Sequence, residues 1–189
     1  MSGDRVCGGC TLCCTVLRVD ELRKLGGVPC PQLRADPPGC GIHATRPGIC
    51  RRYRCLWLEG KLDEEDRPDR LGAVVDLVSQ AGIAHLLIRE AEPGATLRSP
   101  RLRAIAERFR EAVPVRIADG RDATDPDAPF RLLLAGGLER RVAGDHVTEL
   151  KDGEVIAERT LPAFERLARR VRSRWRVWRQ RDYLGNEAR

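Results

Sequence analysis

Apolar side chains run together in two stretches near the middle of the chain, each bounded by residues that favour turns. Residues 72–78, GAVVDLV, and residues 81–89, AGIAHLLIR, are short and rich in valine, isoleucine and leucine. Such stretches predict two β-strands. The Glu-Pro-Gly sequence at 92–94 predicts a turn after the second strand.

Shorter apolar stretches in the second half of the chain predict further strands. They lie at 113–117, 130–135, 141–142 and 147–150. Residues 119–129 are rich in Asp, Pro and Gly and predict a loop. The Asp152-Gly153 pair lies between apolar stretches, which is a strong signal for a β-hairpin.

Helical spacing of apolar residues begins after Ser99. This serine is a good N-cap, and Pro100 is suited to the first helical position. The apolar residues that follow at three- and four-residue steps are Leu102, Ile105, Ala106 and Phe109. The pattern predicts an amphipathic helix that ends near residue 112.

A second helix is predicted from just after Thr160 to about residue 183, with Pro162 in its first turn and Gly185 after its end. Its apolar stripe consists of Leu161, Phe164, Leu167, Ala168, Val171, Trp175 and Trp178. We expect this stripe to pack on the sheet while the many arginines face solvent. The alternative is a nucleic-acid or acidic-partner surface, with the tryptophans as stacking groups.

These elements predict an α+β protein with a mostly antiparallel sheet and two helices. We expect residues 1–60 to form an irregular lobe that packs on an α+β body at 61–189, the two together forming one compact unit. The charged segment at 61–70 predicts a surface connection between them.

The net charge of +6 is unevenly distributed. Residues 1–60 contain 9 basic and 5 acidic residues, residues 61–160 contain 16 and 20, and residues 161–189 contain 9 and 3. The two ends of the chain are therefore basic and the middle is acidic.

All eight cysteines lie in the first third of the chain, at Cys7, Cys10, Cys13, Cys14, Cys30, Cys40, Cys50 and Cys55. The N-terminus has no apolar region typical of a signal peptide, and no segment is apolar enough to cross a bilayer, so we expect a cytoplasmic location without membrane contact. In a reducing compartment, clustered cysteines are more often metal ligands or redox thiols than disulfides.

The spacing of Cys7, Cys10 and Cys13 lets three thiolates converge on one ion, and Gly8-Gly9 leaves room for the sulfurs. This spacing is typical of both zinc sites and iron–sulfur clusters. Cys13 and Cys14 would point to opposite faces of an extended segment, so we expect Cys14 to serve a second centre or to remain unused. Eight thiolates suit two zinc sites of four, or one iron–sulfur cluster and a second site.

Arginines near these cysteines could compensate the negative charge of a thiolate-bound metal, or could simply be solvated. They are Arg18, Arg46, Arg51, Arg52 and Arg54.

Residues 7–58 resemble the YkgJ-like cysteine-cluster family, known by the pattern CxxCxxCC and described as zinc- or iron-chelating. The resemblance includes Cys30-Pro31 and the run from Cys40 to Cys55, CGIHATRPGICRRYRC, which contains Arg46-Pro47. His43 stands where the family usually has an aromatic residue. We expect its imidazole to pack in that place, with metal ligation as the alternative.

The resemblance implies metal chelation, and a relative with similar cysteines, the flagellin lysine methylase, is described as using an iron–sulfur centre. We therefore expect a metal-binding protein that holds zinc or iron, as a mononuclear ion or an iron–sulfur cluster, through most of the eight cysteines. The alternatives are an iron–sulfur enzyme or electron-transfer protein, and a zinc-stabilised nucleic-acid-binding module. His85 and His146 lie outside any ligand pattern and are interpreted as structural, and no hydrolase triad or phosphate-binding loop is present.

Overall fold

The computed structural model describes residues 5–80, 83–123, 125, 127–171 and 174–175. The strands are β1 (Leu33–Arg34), β2 (Gly39–Cys40), β3 (Ala73–Gln80), β4 (Ile83–Glu90), β5 (Val115–Asp119), β6 (Phe130–Leu133), β7 (Leu138–Ala143), β8 (His146–Lys151) and β9 (Glu154–Thr160). The helices are α1 (Cys13–Val16), α2 (Gly48–Arg52), α3 (Pro68–Leu71), α4 (Ala95–Arg98) and α5 (Pro100–Arg110), with 3₁₀ turns at Asp20–Leu22, His43–Thr45, Glu64–Asp66 and Gly120–Ala123. Residues 163–171 and 174–175 are also helical and are called the C-terminal helix.

Strands β3 to β9 form one sheet whose spatial order follows the chain. Neighbouring strands in this sheet run antiparallel except β4 and β5, which are parallel. A parallel pair needs a crossover connection, and α4 with α5 supplies it. The prediction of an α+β fold with a mostly antiparallel sheet is confirmed.

Helix α5 begins where the sequence predicts. The Ser99 side chain accepts a hydrogen bond from the Leu102 N–H at 3.2 Å, and Pro100 is the first helical residue. Its buried residues Leu102, Ile105 and Ala106 belong to the same hydrophobic cluster as the sheet. Burying each large side chain stabilises the fold by about 1.5–3 kcal/mol.

The main core also contains side chains from the cysteine-rich segment. Val16, Leu56 and Trp57 are buried in one cluster with residues of β3, β4 and α5. The backbone joins the same parts, because the Leu56 N–H donates to the Val75 carbonyl at 2.9 Å. The cysteine segment is therefore supported directly by the sheet.

Strand predictions in the second half are confirmed with shifted limits. The strand expected at 113–117 is β5, two residues later, and a 3₁₀ turn occupies the start of the predicted loop at 119–129. Asp152 and Gly153 both have positive φ, of 51° and 90°, and join β8 to β9 as a hairpin. Strand β9 is exposed along its whole length.

The C-terminal helix begins as predicted, but its expected packing is wrong for the described part of the stripe. Leu161 is buried, whereas Phe164, 71% exposed, is solvent-facing along with Leu167, Val171 and Trp175. Trp178 and the rest of the predicted helix, to residue 183, lie outside the described residues.

Arginine contacts explain this orientation. Arg166 pairs with Asp145 at 2.7 Å and Arg170 pairs with Asp127 at 3.1 Å. Because the polar side of the helix contacts the body, the apolar stripe faces solvent.

Among the described residues, no helix is long and apolar enough to cross a bilayer.

Candidate metal centre

The CGGCTLCC segment folds as a turn followed by a short helix. The Cys10 N–H donates to the Cys7 carbonyl at 2.9 Å, and Gly8 has a φ of 53°, which glycine adopts without strain. Helix α1 then begins at Cys13. The expectation of an extended segment at Cys13-Cys14 is therefore wrong, because both residues lie in the first turn of a helix.

Backbone pairing brings two distant cysteines toward Cys14. The Cys30 N–H donates to the Cys14 carbonyl at 3.0 Å, and the Leu33 N–H donates to the Cys30 carbonyl at 3.1 Å. Leu33 pairs with Cys40 across the β1–β2 ladder. These two hydrogen bonds and the strand pairing place Cys14, Cys30 and Cys40 in one region of the cysteine segment.

The thiols affect one another's pKa in two overlapping sets, which share the contact between Cys13 and Cys14. The charges of Cys14, Cys30 and Cys40 raise the pKa of Cys50, after the larger effect of burial. We call these four residues the Cys50 group. Burial is likewise the first cause that raises the pKa of Cys55, and the charges of Cys10 and Cys7 add to it.

A hydrogen bond with Cys14, burial and the charge of Cys14 raise the pKa of Cys13 most, and the charges of Cys7 and Cys10 add to them. We place Cys13 in the second set. Cys7, Cys10, Cys13 and Cys55 are called the Cys55 group. Cys55 is part of the main hydrophobic cluster, and Cys7 and Cys13 pack against it.

The two groups meet at the adjacent thiols of Cys13 and Cys14. A hydrogen bond between these side chains raises the pKa of Cys13 and lowers that of Cys14 to about 7. All eight cysteines are free thiols. As the side chains are placed, the described residues contain no set of three or more His, Cys, Asp and Glu that could hold a metal ion.

Lys24 is a buried cation beside the Cys50 group. Its side chain is 3% exposed and its ammonium donates to the carbonyls of Thr15, at 2.6 Å, and Leu17. Burial lowers its pKa, and the charges of four cysteines oppose that effect, which are Cys30, Cys14, Cys13 and Cys50. Lysine is rare in this arginine-rich chain, which has only three, and that rarity was the one signal for Lys24 in the sequence.

Arg46 is the predicted cation that acts on a cysteine. The hydrogen bond from Cys13 lowers the pKa of Cys14 most, and burial raises it. The positive charges of Lys24 and then Arg46 lower it further. The Arg46 Nη1 atom lies 2.5 Å from His43 Nε2. His43 is exposed, so the expectation that its imidazole packs in an aromatic slot is wrong.

The other predicted cations make contacts of different kinds. Arg18 pairs with Asp20 at 2.5 Å, and Arg54 donates to the Leu58 carbonyl at 3.2 Å. Arg51 and Arg52 are exposed residues of α2.

Asp76 is a buried carboxylate near the Cys55 group that the sequence analysis did not assign to the site. It is 5% exposed and accepts hydrogen bonds from the Tyr53 hydroxyl and the Arg89 guanidinium, both at 2.5 Å. Burial raises its pKa. An aspartate inside the apolar stretch GAVVDLV was the available signal, because buried carboxylates need partners.

Asp69 is a second carboxylate that the sequence analysis missed. Burial raises the pKa of the Cys10 thiol most, the backbone N–H of Asp69 lowers it, and the Asp69 carboxylate charge raises it. Arg67 donates to Asp69 twice, at 2.7 and 2.6 Å, and lowers its pKa. The segment 61–70 is therefore more than a surface connection, since Leu62 and Asp66 in it are also buried.

The two remaining histidines lie away from these groups. The His85 Nδ1 atom is 3.5 Å from the Ile83 carbonyl, and His146 is an exposed residue of β8 beside Asp145.

Comparisons of the chain with protein-family models, with curated proteins and with solved structures find no match.

Proposed function

We propose that this protein binds zinc or iron through its eight cysteines, as mononuclear ions or as an iron–sulfur cluster. The observation that carries the proposal is the gathering of eight free cysteines in one segment of the fold, at Cys7, Cys10, Cys13, Cys14, Cys30, Cys40, Cys50 and Cys55. Backbone hydrogen bonds and strand pairing bring Cys14, Cys30 and Cys40 together, and Cys7 and Cys13 pack against the hydrophobic cluster that contains Cys55. Four thiolates are the full ligand set of a structural zinc ion and of an iron–sulfur cluster.

The chemistry around the cysteines supports this proposal. The Nε atom of Arg46 is buried and has no hydrogen-bond partner within the described part of the chain. A buried donor without an acceptor costs about 1–3 kcal/mol, so an anionic group is favoured nearby. A set of metal-bound thiolates next to Cys14 would supply that acceptor. The resemblance of residues 7–58 to the zinc- or iron-chelating family agrees with the same chemistry.

Metal would also account for the fold of a segment with little regular structure. Strands β1 and β2 have two residues each, and helix α1 has four. Binding of a structural metal contributes directly to the free energy of folding. The bound group would supply cross-links between Cys14, Cys30 and Cys50, which are far apart in the chain.

The proposal is tested by metal content after anaerobic purification, with iron, zinc and acid-labile sulfide measured per chain together with the absorption spectrum. Cys10→Ser and Cys50→Ser each remove a ligand from a different group, so each variant should lose about half of the bound metal. Thr11→Ser, next to Cys10, is the control and should keep the wild-type content. Unchanged content in both cysteine variants would contradict the proposal.

A further inference from the structure

The C-terminal helix presents large apolar side chains to solvent. The exposed fractions are 71% for Phe164, 64% for Leu167, and 54% for both Val171 and Trp175. These four residues follow one another at three- and four-residue steps, so they lie along one side of the helix, and we call them the exposed stripe. A contiguous exposed apolar surface marks a contact with a protein or a membrane.

A different side of the same helix is attached to the body. Arg166 pairs with Asp145 at 2.7 Å. Arg170, one turn later, pairs with Asp127 at 3.1 Å. These ion pairs hold the helix with the exposed stripe directed away from the residues that it contacts. A helix that lies on a bilayer needs this orientation, with its apolar side in the lipid and its polar side toward water.

The segment that contains this helix is also strongly basic. Residues 166–181 contain eight arginines and no acidic residue. One of these arginines, Arg174, is exposed and precedes Trp175 of the exposed stripe. A partner that covers the stripe must therefore supply negative charge next to an apolar surface.

An anionic membrane surface supplies both. Its acyl chains accept aliphatic and aromatic side chains, tryptophan is favoured at the boundary with water, and its headgroups attract arginine. A second copy of the chain, packed stripe against stripe, would bring two strongly basic segments together, which repulsion opposes. Nucleic acid would stack on Trp175, but it offers no apolar surface to Leu167 and Val171.

We infer that the C-terminal helix binds the surface of anionic membranes, with the exposed stripe in the lipid and the arginines among the headgroups. The sequence predicts no membrane contact because no segment can span a bilayer, but surface binding needs no spanning segment. Neither the cysteines nor a bound metal is required for this contact.

The test is sedimentation of the full-length protein with large unilamellar vesicles. Vesicles of equal parts phosphatidylserine and phosphatidylcholine should bind the protein, and vesicles of phosphatidylcholine alone should bind it at least about 10-fold more weakly. Added sodium chloride should weaken binding to the phosphatidylserine vesicles, because it screens the arginines from the headgroups.

Leu167→Gln should weaken binding to the phosphatidylserine vesicles by about 10-fold, because it removes a large apolar side chain from the lipid. Ile156→Gln is the matched control and should bind as the wild type does, since Ile156 is 57% exposed but lies on β9. Arg174→Gln should weaken binding by about 5-fold, the effect of one arginine near an anionic surface. Circular dichroism checks the fold of each variant, and Phe164→Gln replaces Leu167→Gln if the latter is unfolded.

A wild-type protein that stays in solution with phosphatidylserine vesicles at low salt would overturn the inference. So would equal weakening of binding by Leu167→Gln and Ile156→Gln. A dimer in analytical ultracentrifugation that Leu167→Gln dissociates would assign the exposed stripe to a second copy, and binding of single-stranded RNA without vesicle binding would assign it to nucleic acid. Either of these results would overturn the inference as well.

Discussion

Asp119, at the end of β5, is a single carboxylate that stabilises the chain reversal after the strand. It is 7% exposed, accepts a hydrogen bond from the Arg121 N–H at 2.8 Å, and also pairs with the Arg121 guanidinium. The Arg121 hydrogen bonds lower the pKa of Asp119 despite its burial. A carboxylate with a lowered pKa stabilises the fold above its unfolded pKa of about 3.9, and this contribution is lost as the pH falls through the folded pKa.

We therefore predict that Asp119→Asn is destabilising near neutral pH and that its deficit shrinks as the pH falls from about 5 to about 2. Urea unfolding at several pH values would measure the difference between variant and wild type, with both proteins free of metal. Asp152→Asn, on the exposed β8–β9 turn, is the control. A deficit that stays constant with pH would show that the Asp119 charge does not contribute.

At the scale of the element, the C-terminal helix is attached at its start by Leu161. This side chain packs with Val142 and Val147, and its N–H donates to the Asp145 carbonyl at 2.7 Å. Leu161→Ala should lower the free energy of unfolding by about 2–5 kcal/mol, the usual cost of a large buried deletion. Phe164→Ala, three residues later and exposed, should change it by less than about 0.5 kcal/mol.

Chemical denaturation of the two variants measures this contrast directly. A loss for Phe164→Ala as large as that for Leu161→Ala would mean that the apolar stripe is buried in solution. Periodicity predicted that the helix has an apolar stripe, but it did not predict that the stripe faces solvent. Ion pairs of Arg166 and Arg170 with residues far back in the chain orient the helix, and periodicity contains no information about such partners.

At the scale of the whole molecule, a backbone contact joins the cysteine segment to the end of β5. A Cβ on Gly120 would lie 2.4 Å from the Gly27 nitrogen and 2.9 Å from the Val16 carbonyl oxygen. Both neighbours are backbone atoms, so the two parts of the chain would have to separate. We predict that Gly120→Ala lowers the free energy of unfolding by about 1–3 kcal/mol, as overpacking usually does.

Gly9→Ala is the matched control, because a Cβ there meets nothing within 4 Å. Gly9 lies between the candidate ligands Cys7 and Cys10, so thermal unfolding of both variants is measured after metal has been removed. Equal melting temperatures for Gly120→Ala and the wild type would show that this close approach does not exist in solution.

Local patterns were sufficient to predict most regular elements of the body. Ser99 and Pro100 predicted the start of α5, and the Asp152-Gly153 pair predicted the last hairpin. These signals succeed because N-caps, helix-starting prolines and positive-φ turns depend on residues within a few positions of each other. Helix α4 and the short elements around the cysteines lacked such signals and were not predicted.

The candidate site was predictable only as a set of residues. The eight cysteines, and the proposal that they bind metal, follow from residue chemistry and spacing. Their division into the Cys50 and Cys55 groups, and the positions of Lys24, Asp69 and Asp76, depend on contacts between distant segments. Burial and charge act through space between residues that are distant in the chain. Only the folded structure therefore shows that Lys24, from a loop, and Asp76, from β3, lie near the cysteines.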